Sequence, residues 1–371
     1  MRNKVRKGWK WSVALLAIML ALAGCGSGGN NGGGNNGAAG ENAGNAGGGN
    51  AAANVGGTNG EAGTDGAADG TEELAKVKVM LDWTPNTNHT GLYVARDKGF
   101  WRERGLDVEI VQPGEGTVEQ LIASGEAEFG VSYQEQLTMA RTQQVPIVSL
   151  AAVIQHNTSG FASPVDKNIK TPKDFEGKKY GGWGSPVEEA VIGSIMQAEG
   201  ADVSKVEIVS TGVTDFFTSV KRDIDFAWIY YAWTGVEAEL RGEPINMVYL
   251  TDYSDKLDYY TPVLATSEKM IADKPDIVRA FVEGAAEGYN FAIDNPGEAA
   301  DVLIAAEPDL NKELVKASQK WLAPKYRDDA ARWGEQKLEV WSNYAEWMTE
   351  RKLLEGEFDP QKAFTNDFLP Q

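Results

Sequence analysis

Four short stretches of this 371-residue chain each set a flat aromatic ring among amide, hydroxyl or carboxyl groups. The first holds Asp82, Trp83, Asn86, Asn88 and His89. The second is Ser132-Tyr133-Gln134-Glu135. The third runs from Gly181 to Glu188 and includes Trp183, Gly184 and Ser185. The fourth, Trp228 to Trp233, contains Tyr231. An aromatic ring stacked on another contributes about 0.5–1.5 kcal/mol beyond the area it buries. An asparagine amide offers a donor and an acceptor side by side, which matches the edge of a nitrogen heterocycle. Together these groups suit a flat, polar, heteroaromatic small molecule.

Each residue type also has a plain structural use. Large aromatics are usually core. Trp183 is the exception, since Gly182 and Gly184 on either side give it little to pack against. Asn86 and Asn88 serve equally well as turn residues or helix caps. Glu188 has the capping-box spacing from Ser185, so it either bonds back to the Ser185 N–H or accepts from a ligand amino group. Glu135 has the same spacing from Ser132 and the same ambiguity. His89 and His156 are lone histidines suited to structural hydrogen bonds. From residue 74 onward no GxSxG elbow, phosphate-binding P-loop or GxGxxG turn occurs. Two histidines and one cysteine argue against a metal site, and no cofactor is expected. A cleft rich in rings and amides but poor in activated nucleophiles implies binding rather than catalysis.

Strand-like and helix-like runs alternate from Val77 onward, which implies an α/β fold with largely parallel sheets. Strands are expected at Val77–Leu81, Leu106–Val111, Phe129–Val131, Ile147–Ile154, Lys178–Gly181, Val206–Ser210, Asp225–Trp228 and Ile245–Leu250. The polar stretch Phe161–Lys173 reads as a crossing to a second lobe, and Tyr259-Tyr260-Thr261-Pro262 as the return. The remainder reads as mostly helical. This divides the folded part into a first lobe over 74–165, a second over 166–259, and a return to the first over 260–371. All four ring-bearing loops then fall at strand ends, where α/β proteins bind ligands. They would line a cleft between the lobes.

The first 70 or so residues belong to neither lobe. Five basic residues precede the apolar run Trp11–Leu22, which is too short for the roughly 20 residues that span a bilayer. It fits a secretory signal over 1–24. Leu22-Ala23-Gly24-Cys25 resembles a lipobox, which would make Cys25 the lipidated first residue of the mature protein. Residues 25–73 are mostly Gly, Asn and Ala, with too little apolar area to order themselves. As a coil, about 45 such residues span roughly 37 Å. The expected location is the outer face of the cytoplasmic membrane, lipid-anchored, as a monomer. Cleavage before Cys25 removes five basic groups and no acidic one, taking the formal charge from −19 to −24. Such a surface disfavours nucleic acid as a partner.

The stretches LDWTPNTNHTGLYVARDKGFW, GVSYQEQLTMAR, GGWGSPVEEAVI and DFAWIYYAWTGVEAE identify the chain as resembling the NMT1/THI5-like family, solute-binding lipoproteins of ABC importers similar to the yeast pyrimidine-precursor synthases. The resemblance implies the type II periplasmic-binding-protein fold. It also implies a cleft that closes on an aminopyrimidine, the N-formylated thiamin precursor, by stacking and edge hydrogen bonds. Riboflavin binders look similar, so a different planar heterocycle is the alternative. The implied partners are the permease and ATPase subunits of the importer. The synthases are thought to consume a histidine near the position of His89 and to carry a cysteine cluster for iron. That cluster is missing here, which argues against an enzyme.

Overall fold

The computed structural model describes residues 73–371 except 113, 115 and 213. The signal segment, Cys25 and nearly all of the tether lie outside the described residues. Two five-stranded sheets dominate. The first contains β1 (Ala75–Met80), β2 (Leu106–Val111), β3 (Phe129–Ser132) and β4 (Ile147–Ala152). The second contains β5 (Ser159–Pro164), β6 (Lys179–Gly182), β7 (Glu207–Ser210), β8 (Phe226–Tyr230) and β9 (Ile245–Tyr249). The chain then returns to the first sheet as β10 (Val263–Ser267). Strand orders are β2-β1-β3-β10-β4 and β7-β6-β8-β5-β9. This is the two-lobed α/β arrangement expected from the sequence.

Two strands were not expected, and both follow a crossing. β5 runs antiparallel to β8 and β9. β10 runs antiparallel to β3 and β4. Each sheet is therefore parallel except for the strand that enters from the other lobe. The first crossing falls in residues 153–158, before β5, and not in Phe161–Lys173. The second lobe begins at Ser159 rather than at 166. Ser159-Gly160-Phe161-Ala162-Ser163 carries small and polar residues that read as loop, yet all five are buried between neighbouring strands. Tertiary pairing overrides their weak strand propensity.

Helices flank both sheets. The first lobe carries α1 (Thr90–Asp97), α2 (Val118–Ser124) and α3 (Gln134–Thr142). The second carries α4 (Pro186–Ala198), α5 (Phe216–Arg222) and α6 (Val236–Arg241). The C-terminal part adds α7 (Glu268–Asp273), α8 (Pro275–Asp294), α9 (Pro296–Ala306), α10 (Lys312–Leu322) and α11 (Leu338–Glu350). Phe129 stacks on Phe281 of α8 at 3.7 Å between ring centroids, which fastens the return segment to the first sheet. The second core gathers Phe161, Phe175, Tyr180 and Phe226 around α4. Helix α11 bridges the two. Its Trp341 packs in the first lobe, while Tyr344, Trp347 and Met348 join the second core.

The two crossings are tied to each other. Asp258 accepts from the Asn157 N–H at 2.8 Å and pairs with His156 Nδ1 at 2.6 Å. The Asp258 hydrogen bond pushes the His156 pKa up to about 9. Among the described residues, no helix is long and apolar enough to cross a membrane.

Candidate functional site

The loop after β1 is held by its own polar groups. Asn86 caps the turn Thr87–His89, accepting from the Asn88 N–H at 2.9 Å. His89 Nδ1 accepts from the Asn86 N–H at 3.2 Å, so its other nitrogen carries the proton and donates to Asp82 Oδ1 at 2.6 Å. Tyr133, at the end of β3, donates to the second Asp82 oxygen at 2.5 Å. Burial pushes the Asp82 carboxyl up, but the hydrogen bonds from His89 and the Tyr133 hydroxyl outweigh it and hold the carboxyl below its ordinary value. His89 is fully buried. With this frame fixed, Trp83 projects from the loop at 48 % exposure.

The loop after β6 is held from behind by one carboxylate. Glu188, 2 % exposed, accepts from the backbone N–H groups of Trp183 (3.1 Å), Gly184 (2.7 Å) and Ser185 (2.8 Å), and from the Tyr180 hydroxyl (2.5 Å). The Ser185 hydroxyl completes the cap by accepting from the Val187 N–H. Two glycines make this possible. A Cβ on Gly182 would sit 2.0 Å from a Glu188 oxygen, and Gly184 adopts φ +92°. Trp183 is thereby turned outward, 48 % exposed, with Trp228 behind it at 5.5 Å.

The second S-x-x-E spacing behaves differently. Ser132 ends β3 and gives its hydroxyl to the buried Glu119 of α2, so it does not cap α3. The residue before α3 is Tyr133, which makes no side-chain cap. Glu135 therefore lacks its expected partner. It makes no hydrogen bond among the described residues, and burial followed by the negative charge of Glu188 pushes its pKa up to about 7.

One cavity of about 680 Å³ lies between these loops. Trp83, Asn86, Asn88 and Tyr133 line it from the first lobe, and Trp183 and Trp228 from the second. Five other expected residues do not line it. His89, Gly184, Ser185 and Glu188 lie behind the wall and shape the loops. Tyr231 turns away, packs between Tyr249 and Trp321, and donates to Glu239. Its neighbour Tyr230 lines the cavity instead. A π-helical turn over Tyr231–Gly235 sets this orientation, a feature that a strand-end reading does not supply.

The lining also includes Glu135, Tyr259 and Thr261 of the return crossing, and Thr211, Gly212, Thr214 and Asp215 after β7. That segment follows a strand but has no aromatic ring, so a search for rings passes over it. The lobes also touch beside the cavity. Ser318 of α10 pairs with Thr87 at 2.6 Å and donates to the carbonyl of Ala232.

A two-lobed α/β fold with a ligand-sized cavity at the strand ends is the architecture of ABC-type substrate-binding proteins. The Escherichia coli aliphatic sulphonate-binding protein SsuA shares it, with a TM-score of 0.63 at 11 % identity over 80 % of this chain and 94 % of that one. The family profile described as NMT1/THI5 like matches residues 86–299, and the chain belongs to that family. The formylaminopyrimidine-binding protein of Halalkalibacterium halodurans is 30 % identical over 82 % of this chain and 93 % of its own length. The riboflavin-binding protein RibY of Chloroflexus aurantiacus is 25 % identical over 80 % and 87 %.

Proposed function

We propose that the chain is the extracytoplasmic receptor of an ABC importer for the thiamin pyrimidine precursor N-formyl-4-amino-5-aminomethyl-2-methylpyrimidine. Lipidated Cys25 and the tether hold it, as a monomer, at the outer face of the membrane. It delivers the ligand to the permease, which is driven by its ATPase subunits. The observation that carries this reading is the pair Trp83 and Trp183. Each is 48 % exposed, one comes from each lobe, and both line the same cavity. Half-exposed tryptophans on a cavity wall are stacking surfaces for a planar ring. Asn88 lines the cavity near Trp83 and is placed for the ring's edge, while the Asn86 amide holds the loop.

The named ligand of the Halalkalibacterium relative supports the pyrimidine. The Chloroflexus relative supports riboflavin as the second reading. Binding is favoured over synthase chemistry because both His89 ring nitrogens are engaged and the ring lies outside the cavity lining.

A thermal-shift panel separates these readings, since a ligand that binds only the native state raises its melting temperature by mass action. The formylated aminopyrimidine should give the largest shift among itself, the aminopyrimidine alcohol, thiamin and riboflavin. A larger shift with riboflavin, or none with any pyrimidine, would overturn the proposal.

A further inference from the structure

The cavity lining has a one-sided charge. Asp82, Glu135, Asp215 and Glu237 line it, and no lysine, arginine or histidine does so among the described residues. Three of the four carboxylates are already engaged. Asp82 holds His89 and Tyr133. Asp215 caps α5 through the Thr218 N–H at 2.8 Å and hydroxyl at 2.6 Å. Glu237 accepts from Arg241 Nε at 2.9 Å. Glu135 remains. Ser132, its potential capping partner, is committed to Glu119. The N–H groups of Trp183, Gly184 and Ser185, in the loop leading into α4, are filled by Glu188 and offer nothing to a ligand anion.

We infer that Glu135 is the specificity-determining residue of the cleft, selecting a ring with an exocyclic amine beside a basic ring nitrogen and excluding ligands that carry an anionic group. The inference rests on the cleft reading above and names the edge of the ligand that the cleft reads. In a 4-aminopyrimidine the amino group and the adjacent ring nitrogen form a cyclic amidine. Its amine N–H donates to one Glu135 oxygen, and a single proton is shared between the other oxygen and the ring nitrogen. That proton arrives either on the carboxyl or on the ring, and the product is the same. The pair therefore holds one proton more than the carboxylate and the neutral ring together.

The other titratable groups around Glu135 do not compete near neutral pH. The Tyr230, Tyr259 and Tyr344 hydroxyls are raised by burial first, Tyr230 to about 12, and Glu135 contributes to each. Tyr133 is likewise raised by burial, with Asp82 contributing, while Asp82 itself is held low. Glu188 contributes a negative charge. Affinity for the aminopyrimidine thus falls as pH rises above about 7, where the unliganded Glu135 carboxyl is ionised and binding must take up a proton from solution.

Calorimetric titration of the full chain tests this with four probes: the formylated aminopyrimidine, its 4-oxo analogue, the aminopyrimidine alcohol and that alcohol's phosphate monoester. Wild type should prefer the amine to the 4-oxo analogue and bind the monoester at least a hundredfold more weakly than the alcohol. Glu135→Gln should bind the amine tenfold to a hundredfold more weakly, the range for losing a charge-assisted hydrogen bond. It should also lose the alkaline decline in affinity and gain on the 4-oxo analogue, whose N–H and C=O a glutamine amide can match. A variant that keeps the amine preference and the alkaline decline overturns the assignment, while loss of binding in Trp183→Ala leaves the cleft reading intact. Equal binding of the monoester overturns the anion exclusion. If wild type binds none of the pyrimidines, both the inference and the cleft reading fail.

Discussion

The two lobes contain the same four-residue spacing, Ser-x-x-Glu, and use it in opposite ways. In the second lobe, Ser185 and Glu188 form the reciprocal cap, and the glutamate is consumed by four protein donors. In the first, Ser132 is drawn off by Glu119, and Glu135 is left facing the cavity without a partner among the described residues. One glutamate stabilises the fold and positions Trp183. The other is held in an environment that resists its charge. Unpartnered polar groups of that kind cost stability and mark sites that ligands complete.

The contrast predicts opposite signs on stability. Glu188→Ala should cost about 3 kcal/mol, because it strands the buried Tyr180 hydroxyl and three part-buried N–H groups that now share one carboxylate. Urea unfolding of the unliganded protein measures this, and a loss below about 1 kcal/mol would mean the donors find other acceptors. Glu135→Gln should do the reverse. Its folded pKa, about 7, lies above the ordinary 4.5, so whatever this group contributes is present below pH 4.5 and lost as pH rises through 7. At pH 8 the glutamine variant should exceed wild type by about 1–3 kcal/mol, a gap that closes toward pH 4.

Trp183→Ala should weaken aminopyrimidine binding at least tenfold, about 1.4 kcal/mol, with little change in stability because the ring is half exposed. Fluorescence titration and a melting curve on the same sample check both halves. The smallest effect is expected from Ser132→Ala. It removes the hydroxyl that Glu119 accepts, costing about 1 kcal/mol in urea unfolding, and leaves affinity unchanged. If it lowered affinity instead, Ser132 would be placing Glu135 after all.

Much of the molecule could be read from local pattern. The eight expected strands all form, within a residue or two at each end, because each is a short apolar or alternating run with clear punctuation. The exposure of Trp183 agrees with its flanking glycines. What escaped depends on distant partners. β5 and β10 become strands only because each finds two antiparallel neighbours after its crossing. Tyr231 and Tyr230 are adjacent rings, and the π-helical turn decides which one the cavity receives. Glu135 and Glu188 have identical spacing. Their fates diverge through Glu119, 13 positions from Ser132, and through the missing Cβ of Gly182.

The most direct test is urea unfolding of wild type and Glu135→Gln at pH 8, with and without the formylated aminopyrimidine. The account predicts that the variant is the more stable protein when unliganded and gains less from the ligand than wild type does. A variant that is no more stable alone and is stabilised by the ligand as much as wild type would contradict it.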